Sequence, residues 1–341
     1  MPTHDIIVVG ASAGGVEALS NLVATFPSDL PAAVFVVLHI PAQATSVLPY
    51  ILSRKGSLPA AHAVNGMRIQ HGRIYVAPPD HHLLVEEGRV RVVHGPTENR
   101  HRPAVDPLFR SAALAYGPRV VGVVLSGTLD DGSAGLLAVK ARGGIAIAQD
   151  PADALYDGMP RNAMNYVDID YCLSAAAIGA VLTQLAGEPI AGEGQMAEDK
   201  DMESEVDAAE LGSEGLGTDE HPGAPSVYAC PDCHGTLWEI DDGNMRRYRC
   251  RVGHAYTEES LLAAHSESLE RALWAALRAL EENASISHRT AERARSSGMT
   301  MAASRFDERA HEMQQHAESI RKVLLNSLTL DRPLDEADDV A

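Results

Sequence analysis

The chain has 341 residues, 45% of them hydrophobic, and a formal net charge of -19. That length suits one full α/β domain plus smaller parts, and the surplus of carboxylates speaks against nucleic acid as a partner, which needs a basic face. No apolar run reaches the roughly 20 residues of a membrane span, and no basic segment leads into an apolar stretch at the N-terminus as in a signal peptide, so a cytoplasmic protein without membrane insertion is expected.

Residues 5–10 (DIIVVG) form a short apolar, β-branched run ending at glycines, and a helical pattern follows from Gly14. This predicts a buried strand, a tight turn and a helix. The run AVFVVLHI (33–40) is a second buried strand, followed by Pro41 and a helix near 45–54. HLLVEEGRVRVV contains two strand-like runs about Glu87-Gly88 and predicts a β-hairpin inserted antiparallel into the sheet. VVGVVLSG (120–127) and GGIAIAQD (143–150) are further strands, with helices expected over 133–142 and 175–186. Continuous apolar strands alternating with helices predict an α/β fold, a doubly wound and mostly parallel sheet, for a domain over 1–186.

Residues 187–226 are rich in carboxylates and glycine and nearly devoid of large apolar side chains, which predicts an acidic disordered linker whose charge serves solvation. A Cys/His module follows over 227–257, then a helical hairpin over 258–330 and an acidic tail over 331–341. The first helix of that hairpin places Leu262, Leu269, Leu273, Ala276, Leu280 and Ala284 on one expected stripe, and the second carries Phe306, Ala310, Met313, Ile320 and Leu324. Ser297-Gly298 separates them.

Gly10-Ala11-Ser12-Ala13-Gly14 has the G-x-S-x-G form that lifts a serine hydroxyl out of a sharp strand-to-helix turn. The helix starting near Gly14 aims free N–H groups and a positive dipole end toward an oxyanion beside Ser12. An anion-binding loop is the rival reading. A dinucleotide fingerprint needs glycine where Ser12 stands and an acidic residue ending the second strand, where this chain has His39. His39 leaves the same carboxyl edge of the sheet, where open α/β folds place their sites, and suits a general base. A carboxylate to steady that imidazole is available after the third strand, at Asp130 or Asp131. An aspartate just before a helix is often only its N-cap, and spacing does not choose between the two.

The blocks VVGASAGGVEAL, VVLHIPA, HRPAVDPLFRSAA, LSGTLDDGSAGL and AQDPADALYDGMPRNA, in that order, resemble the catalytic domain of bacterial chemotaxis methylesterases over about residues 5–185. The resemblance implies hydrolysis of glutamate γ-methyl esters on the cytoplasmic helices of chemoreceptors, with deamidation of receptor glutamines as a second activity, and no catalytic cofactor. It matches Ser12 to the nucleophile, His39 to the base and Asp131 to the third member. The expected oxyanion donors are backbone N–H groups near Ala13 and Thr128. The chain departs from the family's usual pattern at Ala13, where threonine is usual, and at Thr128-Leu129, where Met-Gly is usual. A family member usually carries an N-terminal receiver domain. With the first strand at residues 5–10, control by an in-chain phosphoaspartate is expected to be absent and the C-terminal region to act as regulator or receptor-docking element. The alternative is a signalling adaptor with weak or vestigial esterase activity that recruits partners through that region.

Of four cysteines, Cys172 stands alone, while Cys230, Cys233 and Cys250 cluster with His254 as C-x2-C-x16-C-x3-H. That spacing predicts a structural zinc site in a reducing compartment, with four protein ligands and no open position for catalysis. His234 is the weaker candidate for fourth ligand, because Cys233 already occupies its turn.

Overall fold

A computed structural model describes residues 2–190, 200–210 and 223–330, with side chains described to residue 325. The chain divides into two units, before and after the bond between Leu262 and Ala263.

The first unit begins with β1 (Ile6–Ala11), α1 (Gly15–Val23), β2 (Ala33–Leu38) and α2 (Leu48–Lys55), followed by two short strands, β3 (Ala60–His62) and β4 (Arg73–Val76). β1 and β2 are buried along their whole length, as their unbroken apolar runs require of strands covered on both faces. A separate two-stranded ribbon, β5 (His82–Glu86) and β6 (Arg89–Val93), precedes α3 (Val105–Tyr116). Then come β7 (Val120–Val124), α4 (Ser133–Ala141), β8 (Ile145–Gln149), α5 (Gly158–Tyr166), β9 (Tyr171–Leu173) and α6 (Ala175–Gly187). The main sheet has seven strands, all parallel, in the order β3-β4-β2-β1-β7-β8-β9. The predicted hairpin exists, but outside this sheet. Its β5 edge is tied to α3 by Ser111, whose Oγ accepts from the Val85 N–H at 3.0 Å.

Two cores flank the sheet, one gathering Leu19, Leu22, Val34 and Leu182, the other Phe35, Tyr75, Phe109 and Leu136. Strand order reverses between β1 and β7, which opens a crevice at the carboxyl ends of the central strands.

Part of the expected disordered linker is ordered. Residues Lys200–Ala209 form a helix, α7, and its Glu205 is only 8% exposed. The cause lies elsewhere in the chain: Arg110 of α3, together with Arg247 and Arg249, closes on that carboxylate. Residues 191–199 and 211–222, also within the expected linker, lie outside the described residues, as does the acidic tail. The Cys/His module is a four-stranded antiparallel ribbon of β10 (Ala224–Ala229), β11 (Thr236–Asp241), β12 (Arg246–Cys250) and β13 (Ala255–Thr257). It therefore begins within the segment assigned to the linker.

The long helix α8 (Glu258–Ser296) starts in the first unit and continues into the second, where it is followed by α9 (Thr300–Leu330). Within the second unit Leu277, Ala317 and Leu324 are buried together, with Leu273, Leu280 and Ile320 against them. Ala284 and Ala291 on α8, and Ala303 and Ala310 on α9, are buried at seven-residue intervals, the spacing of a coiled-coil seam. The expected stripe is corrected at Leu262, Leu269 and Ala276, all exposed. They continue a seven-residue step, but the 3–4 alternation passes through Leu273, Leu277, Leu280 and Ala284 instead.

Candidate active site

Ser12, His39 and Asp131 follow the carboxyl ends of β1, β2 and β7, the three strands beside the switch point. Register keeps those ends level: Ala11 pairs with Leu38 and Gly10 with Val124. Beyond the last pairs, the His39 N–H donates to Ala11 O at 3.1 Å and the Ser12 N–H to Ser126 O at 2.9 Å. The turn after Ser12 is possible because Gly14 adopts φ 72°, and a Cβ there would lie 2.6 Å from Ser126 Oγ. Gly127 likewise admits Ser12: a Cβ on it would sit 2.8 Å from Ser12 Cβ.

His39 Nε2 is 2.7 Å from Asp131 Oδ2, with side chains 4% and 2% exposed. With Nε2–H donating to the carboxylate, Nδ1 is left as the acceptor, and this buried atom has no partner among the described residues. The ring nitrogens are used in the reverse sense from the serine-protease template. His101 stacks on His39 with ring centroids 3.7 Å apart. Burial, with the neighbouring His39 charge assisting, pushes the His101 imidazole down to about 3, so it is neutral near pH 7.

Asp131 is gripped on both oxygens. Oδ2 also accepts from the Val105 N–H at 2.7 Å, and Oδ1 accepts from Asn99 Nδ2 at 2.9 Å and the Asp106 N–H at 3.2 Å. Val105 and Asp106 open α3, so the carboxylate also meets that helix's positive end. Burial alone would raise its pKa; the His39 hydrogen bond and charge, with Val105 and Asn99, more than reverse this and hold it ionised. The N-cap reading of the Asp130-Asp131 pair is replaced: Asp106 of α3 does that work for α4, its Oδ1 accepting from Gly132 N–H at 3.0 Å and Gly135 N–H at 2.6 Å. Asp130 takes its hydrogen bond from Thr257 Oγ1 at 2.7 Å, and burial raises it to about 7 despite that bond.

A cleft of about 450 Å³ opens beside Ser12 and His39, walled by Ile40, Pro41, Arg100, His101 and the Arg102–Asp80 ion pair, whose closest approach is 2.7 Å. Ala13 and Thr128 follow Ser12 and Gly127 in the chain and lie outside the lining of that cleft. Leu129 holds φ 60°, and its carbonyl accepts from Asn162 Nδ2, which also donates to Glu259.

Sequence reasoning missed Asn99 and His101. Asn99 is 3% exposed with φ 51°, and its side-chain oxygen accepts from Thr257 N–H and Ser260 Oγ, each at 3.1 Å. Asparagine carries no compositional signal for such a place, although the block beginning at His101 starts two residues after it.

The Cys230, Cys233, Cys250 and His254 ligand atoms all lie within 4.8 Å of one another. The Cys233–Cys250 sulfurs are 3.6 Å apart, and His254 Nδ1 lies 3.7 and 3.5 Å from the Cys230 and Cys250 sulfurs. Zinc bonds of about 2.3 Å to sulfur and 2.0 Å to nitrogen at tetrahedral angles give edges of about 3.5–3.8 Å, so the set fits the ion. His254 Nε2 faces Asp232 at 3.9 Å, and Asp232 accepts from Thr97 Oγ1 at 2.6 Å, at the cleft wall. His234, with φ 61°, is outside the ligand group.

The fold and its sheet edge define the class: an α/β protein with a serine, a histidine and an aspartate gathered at the carboxyl edge of its parallel sheet. Residues 7–182, just over half of the chain, match the CheB methylesterase family, and the chain belongs to that family. It is 34% identical over 183 residues, 53% of this chain and 95% of the other, to a putative protein-glutamate methylesterase/protein-glutamine glutaminase of Leptospira interrogans. It is 40% identical to the protein-glutamate methylesterase/protein-glutamine glutaminase of Photorhabdus laumondii, over 50% of this chain and 49% of that one. The crystal structure of the Thermotoga maritima CheB methylesterase catalytic domain superposes with a TM-score of 0.51 at 33% identity, covering 53% of this chain and 98% of that domain.

Proposed function

We propose that the protein is a protein-glutamate methylesterase that removes methyl groups from glutamate γ-esters on chemoreceptor helices in the cytoplasm and also deamidates glutamines there. The observation that carries this reading is that Ser12 and His39 directly follow the level ends of β1 and β2, while the loop after β7 brings Asp131 within 2.7 Å of His39, in a chain of this family. His39 Nδ1 takes the Ser12 proton as Oγ attacks the ester carbonyl, and Asp131 stabilises the resulting imidazolium. N–H groups at Ala13 and Thr128 hold the oxyanion. Collapse returns the proton to the leaving methanol. Water, deprotonated by His39, then releases the glutamate and restores Ser12.

Structural zinc at Cys230, Cys233, Cys250 and His254 is part of the same reading. Four protein ligands leave it a folding role, supplying stability that a ribbon this small cannot draw from its own core. The C-terminal region is a contact for a regulator or the receptor.

Methanol release from methylated receptor, wild type beside Ser12→Ala, tests the proposal. A loss of about 10³-fold or more is expected; equal rates in the two proteins overturn it.

A further inference from the structure

We infer that Asn99 is the positioning residue that holds Asp131 for His39, and that the β13–α8 junction of the Cys/His ribbon holds Asn99 in turn. The inference rests on the esterase reading above.

The Asn99 amide uses its full hydrogen-bonding capacity. Its two Nδ2 hydrogens go to Asp106 Oδ2 at 2.8 Å and Asp131 Oδ1 at 2.9 Å, while both lone pairs of Oδ1 are taken by the Thr257 N–H and Ser260 Oγ. Only a primary amide can separate two buried carboxylates with donors on one side and accept from a helix start on the other. An aspartate at this position would bring no donor to either carboxyl, and a hydrophobic residue would likewise leave both short of a donor in a dry site. The backbone is fixed as well, with the Asn99 N–H donating to Ala255 O at 2.8 Å and the Ala255 N–H to Thr97 O at 3.3 Å. Thr257 and Ser260 cap each other at the start of α8, Thr257 N–H to Ser260 Oγ at 2.9 Å and Ser260 N–H to Thr257 Oγ1 at 3.1 Å. Their positions are therefore set by the ribbon's last strand, which begins one residue after His254. The holding groups lie beyond residues 7–182, outside the family match. Without them the Asp131 carboxylate keeps its two backbone donors but can rotate about them, taking Oδ2 out of line with His39.

The test uses the full chain and two readouts: steady-state methanol release, and the downfield imidazole N–H proton resonance of the His39–Asp131 hydrogen bond, which needs no substrate. Asn99→Ala is expected to lower kcat about tenfold or more with KM nearly unchanged, and to broaden or remove the resonance. Ser260→Ala, which removes the hydroxyl that donates to Asn99 while the Thr257 N–H stays in place, is expected to move both readouts in the same direction, kcat by about threefold or more. Thr257→Ser is expected to retain both. Combining Asn99→Ala with Ser260→Ala is expected to cost little beyond Asn99→Ala alone, since that line of contact has already been cut. A persistent resonance with unchanged kcat in Ser260→Ala overturns the inference, as do additive losses in the combined variant. If the resonance responds as stated while wild type and Ser12→Ala release methanol equally, the esterase reading fails and the positioning of Asp131 stands.

Discussion

The imidazoles of His39 and His101 are stacked, with centroids 3.7 Å apart and planes 12° from parallel. With Asp131 holding one edge of His39 and the His101 ring covering a face, the imidazole has little freedom to turn.

His101 enters this arrangement as a neutral flat surface, since burial keeps it uncharged. His101→Phe is therefore expected to keep kcat within about threefold, and His101→Ala to lower it about tenfold through loss of alignment. Steady-state methanol release on the two variants checks this.

Asp130 and Asp131 are expected to behave oppositely on replacement. Asp131→Asn removes the charge that stabilises the imidazolium and should lower kcat by about 10³–10⁴-fold. Asp130→Asn should leave kcat largely intact and change the pH dependence of stability. Burial raises Asp130 from 3.8 to about 7 in the folded chain, so the fold prefers its neutral form. That contribution is present below 3.8 and lost as the pH climbs through 7. Asp130→Asn should therefore melt at a higher temperature than wild type at pH 8, with the gap closing toward pH 4, as followed by thermal denaturation.

Glu205 of α7 joins Arg247 at 2.7 Å and Arg110 at 3.0 Å, and all three side chains are buried. Burial opposes ionisation, but the guanidiniums of Arg110 and Arg247 hold the Glu205 carboxyl well below its usual range. Glu205→Ala would remove the carboxylate these cations share, leaving Arg110 with Glu98 and Arg247 with Asp242, for an expected loss of about 2–3 kcal/mol. Urea denaturation of the full chain measures it, and hydrogen exchange should show α7 released first.

One zinc ion per chain is expected by elemental analysis, and about none in Cys233→Ser/Cys250→Ser. Removing a metal held there should raise hydrogen exchange across β11 and β12 well before it affects the parallel sheet, because a ribbon this small would draw its folding energy from such an ion.

Much of the fold is written plainly in the sequence where one local rule suffices. Unbroken runs such as IIVVGA and AVFVVL can only be strands covered on both faces, and Ser12 and His39 could be placed because they end such runs. α3 carries no such signature. Nine of its twelve residues are buried, Asp106 and Arg110 among them, so it shows no polar face and no clean periodicity. α7 was hidden for another reason. Its composition is that of a solvated segment, and Glu205 is buried only because arginines far along the chain converge on it. The seam of the second unit relies on alanines, such as Ala303, Ala310 and Ala317, which hydrophobic patterning weighs less than the leucines it led with. Asn99 was silent because its importance comes from four partners in three segments, none within six residues of it.

The Asn99 amide also bears on how this enzyme is to be handled in the laboratory. A fragment ending after α6 would retain Ser12, His39 and Asp131, yet solvent would replace Thr257 and Ser260 around the asparagine and Arg110 would lose Glu205. Rates measured on such a fragment would describe a loosened relative of the natural catalyst, and a low value would be a result of the cut rather than of Ala13 or Thr128.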